Sequence, residues 1–517
     1  MGAVATETNG ARRDVVRSYA PATGDLLGEV PVASREAVIA TVARARKAQA
    51  AWAVLPIEER VARVTRLRDA LVERADDLVE IVTRECGKPR HEALVHEVMT
   101  LVDLTTYYAE NAARILAPRA IDLHLLKHRA SAVHFVPRGV VGVISPWNFP
   151  LVIPMGSVVC ALLAGNAVVV KPSEITPLVL LEAKKIFDST GMPEDLFGVV
   201  AGYGDTGQAL IDAGIQRMIF TGSVETGKRV AAACGARLIP CVMELGGKAP
   251  LIACADCDLD LTARAIVFGG FANAGQACIS VERVYAHEAI HDALLARVRK
   301  LTAKLRQGDP SGDWVDVGAV TFPKQIEVAE RLVGDALQKG ATLVAGGHRK
   351  SGQFFEPTIV ADCTDEMAVM HEEIFGPIVP FQKVASDDEA VARANDSRLG
   401  LNAYVFTKDR AKGERLALRI EAGSVLVNDV LSNYGAVEAP FGGTKDSGFG
   451  RVHGDGELEE MCERRHVSLP SRIPLPGADM LWYPYTQKSF FWLKRGMTAL
   501  LSGGGLARGV RKVSRLF

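Results

Sequence analysis

The sequence has no excess of charge: 60 Lys and Arg stand against 61 Asp and Glu, a formal net charge of -1. No global field therefore draws it to nucleic acid or to an acidic membrane, and any such attraction must be local. Cysteine is sparse, with nine residues at 86, 160, 234, 241, 254, 257, 278, 363 and 462. An odd, scattered set is no disulfide framework, so a reducing cytoplasm is the expected compartment. The opening stretch, MGAVATETNGARRDVVR, lacks the apolar core of a secretory signal, and residues 1–17 read as a disordered tail. Its Met-Gly start with Thr6 matches only a short myristoylation pattern that occurs often by accident. Internal repeats at solenoid spacing are absent too.

What is present is the mix of a soluble globular protein, 48% hydrophobic and 23% charged over 517 residues, long enough for roughly three ordinary domains. Gly139 to Val170 holds no charged residue, and a hydropathy window would mark it as a membrane span. Pro146, Asn148, Pro150 and Pro154 interrupt it where a spanning helix must be continuous. It reads instead as strand GVVGVIS, turn PWNFP, helix LVIPMGSVVCALLA and strand AVVVKPS, a strand-helix-strand unit buried on both faces.

Before it, Ser34–Lys47 and Glu58–Arg84 show apolar residues at helical spacing, Gly87, Lys88 and Pro89 punctuate, and a further helix runs to about Ala113. Residues 119–136 form a polar, strand-like excursion. After it, helices at 177–189, 206–213 and 226–235 alternate with FGVVA, RMIFTGS and CVMELGG. A second alternating set follows with VYAHE, LVAGG, IVPFQKV, AYVFT and SVLVN. Short apolar strands alternating with helices predict α/β domains with parallel, doubly wound sheets, two in succession.

Several short patterns mislead. Gly202–Gly207, GYGDTG, spells a dinucleotide fingerprint, but the letters alone are weak. Residues 222–228, GSVETGK, nearly spell a P-loop, yet Arg229 stands where Ser or Thr must reach magnesium, so an NTPase is not expected. Its Gly-Ser turn at a helix start still offers backbone N–H groups to a phosphate. Cys254-Ala-Asp-Cys257 has no second CxxC to complete a zinc site. In FGGFANAGQACIS, 268–280, Cys278 is open between a buried small hydrophobe and a nucleophile whose pKa is lowered.

PWNFP at 146–150, KPSE at 171–174, FTGSVETG at 220–227, ELGGK at 244–248, GQAC at 275–278, EEIFGP at 372–377 and PFGG at 440–443 occur in that order. Together they resemble the aldehyde dehydrogenase superfamily, from about Tyr19 to about Leu469. The resemblance implies Cys278 as the thiolate that adds to the aldehyde, the Asn148 amide and the Cys278 N–H as oxyanion donors, and Glu244 as the base for thioester hydrolysis. Taken singly, Asn148 is equally a turn residue and Glu244 a solvated strand end.

For the cofactor, the resemblance places Lys171 and Glu174 on the adenosine ribose and Ser223 on the pyrophosphate. Glu373 falls on the nicotinamide ribose with Phe375 packed beside it, and Trp147, Gly222, Gly227, Leu245 and Gly246 line the same site. A carboxylate at Glu174 favours NAD over NADP, although some members accept both. No metal is implied. The implied fold is a Rossmann-type cofactor domain (18–118 and 138–245), an α/β catalytic domain (246–440) and a small β oligomerisation arm (119–137 and 441–470). A homodimer or homotetramer is expected.

Eight residues beyond Asn148, where many semialdehyde-specific relatives carry arginine, this chain has Gly156. With Phe149, Val152, Ile153 and Met155 as neighbours, an uncharged medium- or long-chain aldehyde is expected, and a semialdehyde or aromatic aldehyde is the alternative. A CoA-acylating enzyme would generally lack Glu244. A membrane-associated scaffold without catalysis would need a decayed site, and none of the three catalytic positions is lost.

Residues 471–517 form an extension. From Met480 it holds seven Lys or Arg, no acidic residue, and Trp482, Tyr483, Tyr485, Phe490, Phe491 and Trp492. That interleaving suits peripheral membrane contact, as in fatty aldehyde dehydrogenases, or a tail packed on the protein's own surface, since Gly503–Gly505 interrupts any long helix. No spanning segment is expected.

Overall fold

The computed structural model of the chain describes residues 14–126, 128–312, 314–471 and 478–501. They fall into two compact units: residues up to Leu116 with Val136–Glu463, and Ala117–Phe135 with the residues from Arg464 onward.

The larger unit is built on two sheets. The first orders six strands as Gly448–Phe449, Cys241–Glu244, Arg217–Thr221, Val140–Ile144, Ala167–Lys171 and Phe197–Val199. All pairs are parallel except the edge strand Gly448–Phe449. The uncharged run supplies its centre because every residue of Val140–Ile144 and Ala167–Lys171 is buried, which a continuous apolar sequence tolerates. The crossover helix Val152–Leu163 leaves only Ile153 incompletely buried. Its 12 residues fall well short of the roughly 20 that cross a bilayer.

The second sheet orders seven strands: Thr342–Ala345, Thr358–Ala361, Ile378–Val384, Val281–His287, Ala249–Ala253, Asn402–Phe406 and Ser424–Val427. Only Thr342–Ala345 runs antiparallel. Both sheets follow the alternation read from the sequence.

Some boundaries differ. Glu58–Arg84 is two helices, Ile57–Glu73 and Ala75–Cys86, because Arg74 leaves the helical region between them. Residues 15–17, grouped above with a disordered tail, begin the strand Val15–Tyr19, which pairs with Leu26–Pro31. Val16 is buried there beside Val30 and Ala201. Residues 1–13, with the Met-Gly start, lie outside the described residues. Residues 441–463, grouped above with the arm, belong to the larger unit. Hydrogen bonds hold them there: Tyr107 to Asp455 at 2.7 Å, the Tyr108 hydroxyl to the Gly454 carbonyl at 2.9 Å, and Asn166 Nδ2 to the Met461 carbonyl at 2.8 Å.

The smaller unit carries a three-stranded sheet ordered Cys462–Pro470, Arg129–Pro137, Arg119–Ile121. Arg129 donates to the Ser468 carbonyl at 2.6 Å. Beyond it lies the helix Gln487–Leu501, and Trp482, Tyr483, Tyr485, Phe490, Phe491 and Trp492 are all exposed. Among the described residues no helix is long and apolar enough to cross a membrane. Gly503–Gly505 lie outside the described residues.

Candidate active site

A cleft of about 840 Å³ opens where Ile144, Lys171, Thr221 and Glu244 end four parallel strands of the first sheet. The carboxyl ends of such strands, at the point where strand order reverses, are where open α/β sheets bind ligands. Trp147, Asn148, Lys171, Glu174, Gly222, Ser223, Glu244, Leu245, Gly246, Cys278, Glu373 and Phe375 all line it. Gly227 does not: it sits one layer back in the helix Val224–Gly235, where a Cβ would come within 2.4 Å of Leu245. Its role is close packing under the cleft. The GYGDTG stretch contributes Gly204, Asp205 and Gly207 to the lining, and Gln208 follows it there.

The Cys278 loop is held in an uncommon shape. Asn273, Ala274 and Gly275 have φ of 51°, 54° and 73°, and a side chain on Gly275 would strike the Gly376 carbonyl at 2.1 Å. The two non-glycine residues cost on the order of 1–3 kcal/mol each in that region, so the surroundings must over-determine it. Gln276 does much of this, accepting from the Thr321 N–H at 2.8 Å and donating to the Asn273 carbonyl at 2.8 Å. Glu92 accepts from the Asn273 N–H at 2.8 Å.

Asn148 is buried against this loop, its amide donating to the Gln276 carbonyl at 2.9 Å. Its own carbonyl accepts from Lys88 Nζ at 3.0 Å and from Asn273 Nδ2 at 3.1 Å. Lys88 is paired with Glu97 at 2.7 Å, both fully buried. Glu97 also accepts from the N–H groups of Leu151 and Val152 at 3.2 and 2.9 Å, at the head of the crossover helix. A buried pair is tolerable when its remaining hydrogen-bonding capacity is met in this way.

Cys278 is half-buried. Burial pushes its thiol up to about 12, the Glu373 and Glu244 carboxyls add to the shift, and the N–H groups of Cys278 and Ile279 oppose it. Of the two readings the sequence leaves open, a thiol with a lowered pKa is not what the chain alone provides: burial favours the protonated thiol, which needs a proton acceptor to react. Glu244 is 5% exposed and neither carboxylate oxygen has a hydrogen-bond partner. Burial holds it well above the ordinary carboxylate range, against the pull of Arg451. The PFGG motif explains its room: at Gly442, with φ of 153°, a Cβ would lie 2.7 Å from Glu244 Oε1.

Glu373 accepts from the Gly247 N–H at 2.9 Å and is pushed up to about 8, chiefly by burial and then by Glu282. Its loop is pinned by Glu282, which accepts from the N–H groups of Ile374 and Phe375 at 2.9 Å each and pairs with buried Lys248 at 3.0 Å. Phe375 stands edge-on to Trp147, ring centroids 5.2 Å apart. Lys171 Nζ lies 3.5 Å from Glu174.

A second cavity of about 630 Å³ reaches Cys278 beside the cleft. A seven-residue π-helical turn, Ala93–Met99, supplies Val95, His96 and Met99 to its wall; such turns often mark functional sites. Of the four apolar residues beside Gly156 singled out above, Phe149 and Ile153 line this cavity, whereas Val152 and Met155 are buried in the core. Gly156 faces a different, smaller void. Among the described residues the cavity lining includes no Lys or Arg, but it does include Asp103 and Asp429. His96 adds no positive charge at neutral pH, because burial and then Lys88 push it down to about 4.

Cys254 and Cys257 are buried free thiols at a strand end, and among the described residues no cluster suits a metal ion. Lys88, Glu97, Gln276, Lys248 and Glu282 carried no expected role. Three of them lie in or beside the quoted motifs, and only their tertiary partners reveal what they do.

Comparison with protein families matches residues 7–467 to the Aldehyde dehydrogenase family. The chain is 38% identical over 479 residues to a 4,4'-diapolycopene aldehyde oxidase of Methylomonas sp, covering 92% of this chain and 89% of that one. It is 38% identical to a putative succinate-semialdehyde dehydrogenase [NADP(+)] of Mycolicibacterium smegmatis, covering 89% and 90%. Among solved structures it is similar to the NAD+ complex of an aldehyde dehydrogenase from Bacillus cereus, with a TM-score of 0.84, 33% identity, and coverage of 89% and 94%.

Proposed function

Because the chain belongs to the aldehyde dehydrogenase family, we propose that it oxidises an apolar, medium- or long-chain aldehyde to the carboxylic acid through a covalent adduct on Cys278. The observation that carries the substrate class is the lining of the 630 Å³ cavity. A substrate carboxylate there would meet two aspartates, a neutral His96 and no cation, and an unpaired buried charge is costly.

NAD or NADP fits the cleft. A dinucleotide needs a strand-end crevice, acceptors for ribose hydroxyls and a helix start for the pyrophosphate. Glu174, Glu373 and Ser223, the N-cap of the helix Val224–Gly235, supply these along one cleft. Gly246 keeps it open, since a Cβ there would lie 2.4 Å from Glu373. Lys171 and Glu174 would hold the adenosine ribose, Glu373 the second ribose and Phe375 the nicotinamide end. The carboxylate at Glu174 favours NAD. When bound, the cofactor supplies a cationic hydride acceptor.

The chain's own groups do the rest. Sulfur of Cys278 adds to the carbonyl carbon as its thiol proton leaves, and Glu244 is the buried acceptor that lines the same cleft. The Asn148 amide and the Cys278 N–H face the developing oxyanion. The acyl group left on Cys278 is a thioester; once the thiol proton has passed from Glu244 to solvent, the Glu244 carboxylate takes the proton of the water that cleaves it.

Nine free cysteines fit a reducing compartment. The sheet of the smaller unit, with its exposed edge strand Arg119–Ile121, is read as an oligomerisation arm that pairs with a second copy. The exposed aromatics around Lys488, Lys494 and Arg495 are read as a peripheral membrane contact. Flotation with anionic liposomes should be lost on truncation after Arg472, and unchanged flotation would discard that reading.

NADH formation from aldehydes of graded length, beside succinic semialdehyde, tests the substrate class. We expect kcat/KM to rise with chain length. A strong preference for the semialdehyde would favour the reaction in the name of the M. smegmatis relative and overturn the apolar assignment.

A further inference from the structure

Beside Cys278 and Glu244 lies a small cavity of about 30 Å³. Its polar lining includes Glu244, Tyr434, His453 and Glu457. Three polar atoms of these residues are buried without a partner: both carboxylate oxygens of Glu244 and Nδ1 of His453, whose ring is 2% exposed. Glu457, also 2% exposed, is held by the His453 N–H at 2.6 Å and the Tyr108 hydroxyl at 3.3 Å.

Unpartnered buried polar atoms are costly. A void of this size that presents several of them meets the conditions for ordered water, which needs about 10–15 Å³ and two or more polar partners. Gly156 lines the void and contributes no side chain to it. Burial holds both Glu244 and Glu457 above the ordinary carboxylate range, and Glu244 senses the charge of Glu457. Two carboxyls raised by the same cause can hand a proton between them without a large energetic step.

We propose that this cavity holds the water that carries a proton from Glu244 to Glu457 during thioester hydrolysis, an inference that rests on the reading of Glu244 as the base. Water attacks the acyl carbon and gives one proton to the Glu244 carboxylate. The carbon–sulfur bond breaks with its electron pair on Cys278, releasing the acid. The proton on Glu244 passes to the cavity water as that water gives one of its own to the Glu457 carboxylate. Glu244 is left as a carboxylate and the water is unchanged; after the acid has left, the proton on Glu457 returns through the same water and Glu244 to the Cys278 thiolate, which restores the thiol. Glu457 acts through Glu244 and does not touch the reacting atoms.

The test is rapid mixing of the full chain with NAD+ and an aldehyde it oxidises, following the first turnover of NADH and the decay of acid-quenched acyl-enzyme. Glu457→Gln keeps acceptor atoms for the His453 N–H and Tyr108 but takes no proton, whereas Glu457→Leu loses both functions. We expect acyl-enzyme decay to slow about tenfold or more in both variants, with kcat falling further than KM. Decay at the wild-type rate in Glu457→Gln, whether or not Glu457→Leu is slowed, would overturn the relay and leave a packing role. Absence of acyl-enzyme from the wild type and from both variants while NADH forms would overturn the Cys278 reading itself.

Discussion

The side-chain amide of Asn148 donates to the Gln276 carbonyl at 2.9 Å, two residues before Cys278. This bond ties the turn after the strand Val140–Ile144 to the loop that presents the thiol. Asn273 returns the connection by donating to the Asn148 carbonyl at 3.1 Å. The turn that carries the proposed oxyanion donor and the loop that carries the nucleophile are therefore fixed to each other by reciprocal bonds. Pre-organisation of that kind lets hydrogen-bond donors act on a transition state without reorganising.

Asn148→Ala removes a donor from the site while leaving Cys278 in place. We expect kcat to fall by about 10²–10³, with a smaller change in KM, in steady-state NADH formation. A fall of less than tenfold would mean that the amide only braces the Gln276 carbonyl.

Lys88→Met leaves Glu97 as a buried carboxyl without its cation at the head of the helix that carries Ile153. We expect a loss of about 3–5 kcal/mol in denaturant unfolding. Adding Glu97→Gln to it should recover part of the loss, because the neutral side chain still accepts from the Leu151 and Val152 N–H groups. Equal stability of the single and double variants would show that the charge is not the cause.

The strand-helix alternation and the residues at strand ends were legible because each rests on local pattern. Lys171 and Glu244 end apolar strands, and Ser223 caps a helix. Face was not readable: Phe149, Val152, Ile153 and Met155 read as one apolar set, yet only Phe149 and Ile153 reach the cavity wall while Val152 and Met155 are buried in the core. Gly227 was misplaced because its motif spans a turn and a helix, and only the turn reaches the cleft. Lys88 read as punctuation between Gly87 and Pro89, since its partners, Glu97 and the carbonyl of Asn148, are brought to it by tertiary packing. The same holds for residues 441–463, whose place depends on hydrogen bonds to Tyr107, Tyr108 and Asn166.

Glu244→Gln should accumulate acyl-enzyme, with turnover falling by about 10²–10⁴. In the wild type, hydrolysis requires the carboxylate form, and burial holds Glu244 well above the ordinary carboxylate range. Hydrolysis should therefore rise with pH along a limb above that range, and the limb should be missing in the Gln variant. Measuring acyl-enzyme decay across pH decides this, and an unchanged limb would assign it to another group.

Glu92 links pH to stability at the Cys278 loop. It accepts from the Asn273 N–H at 2.8 Å, and burial pushes its carboxyl up to about 7 from an ordinary 4.5, against the Asn273 N–H and Lys88. Because the folded value lies above the unfolded one, the stability it contributes is fully present below about 4.5 and is lost as pH rises through about 7. Linkage puts the whole change at no more than about 3 kcal/mol. Glu92→Gln keeps an acceptor for Asn273 at every pH and never ionises. The stability difference between variant and wild type should thus grow in favour of the variant from pH 4.5 to 7 and stay level above. Urea unfolding at fixed pH steps measures it, and an offset constant with pH would show that Glu92 does not ionise in this range.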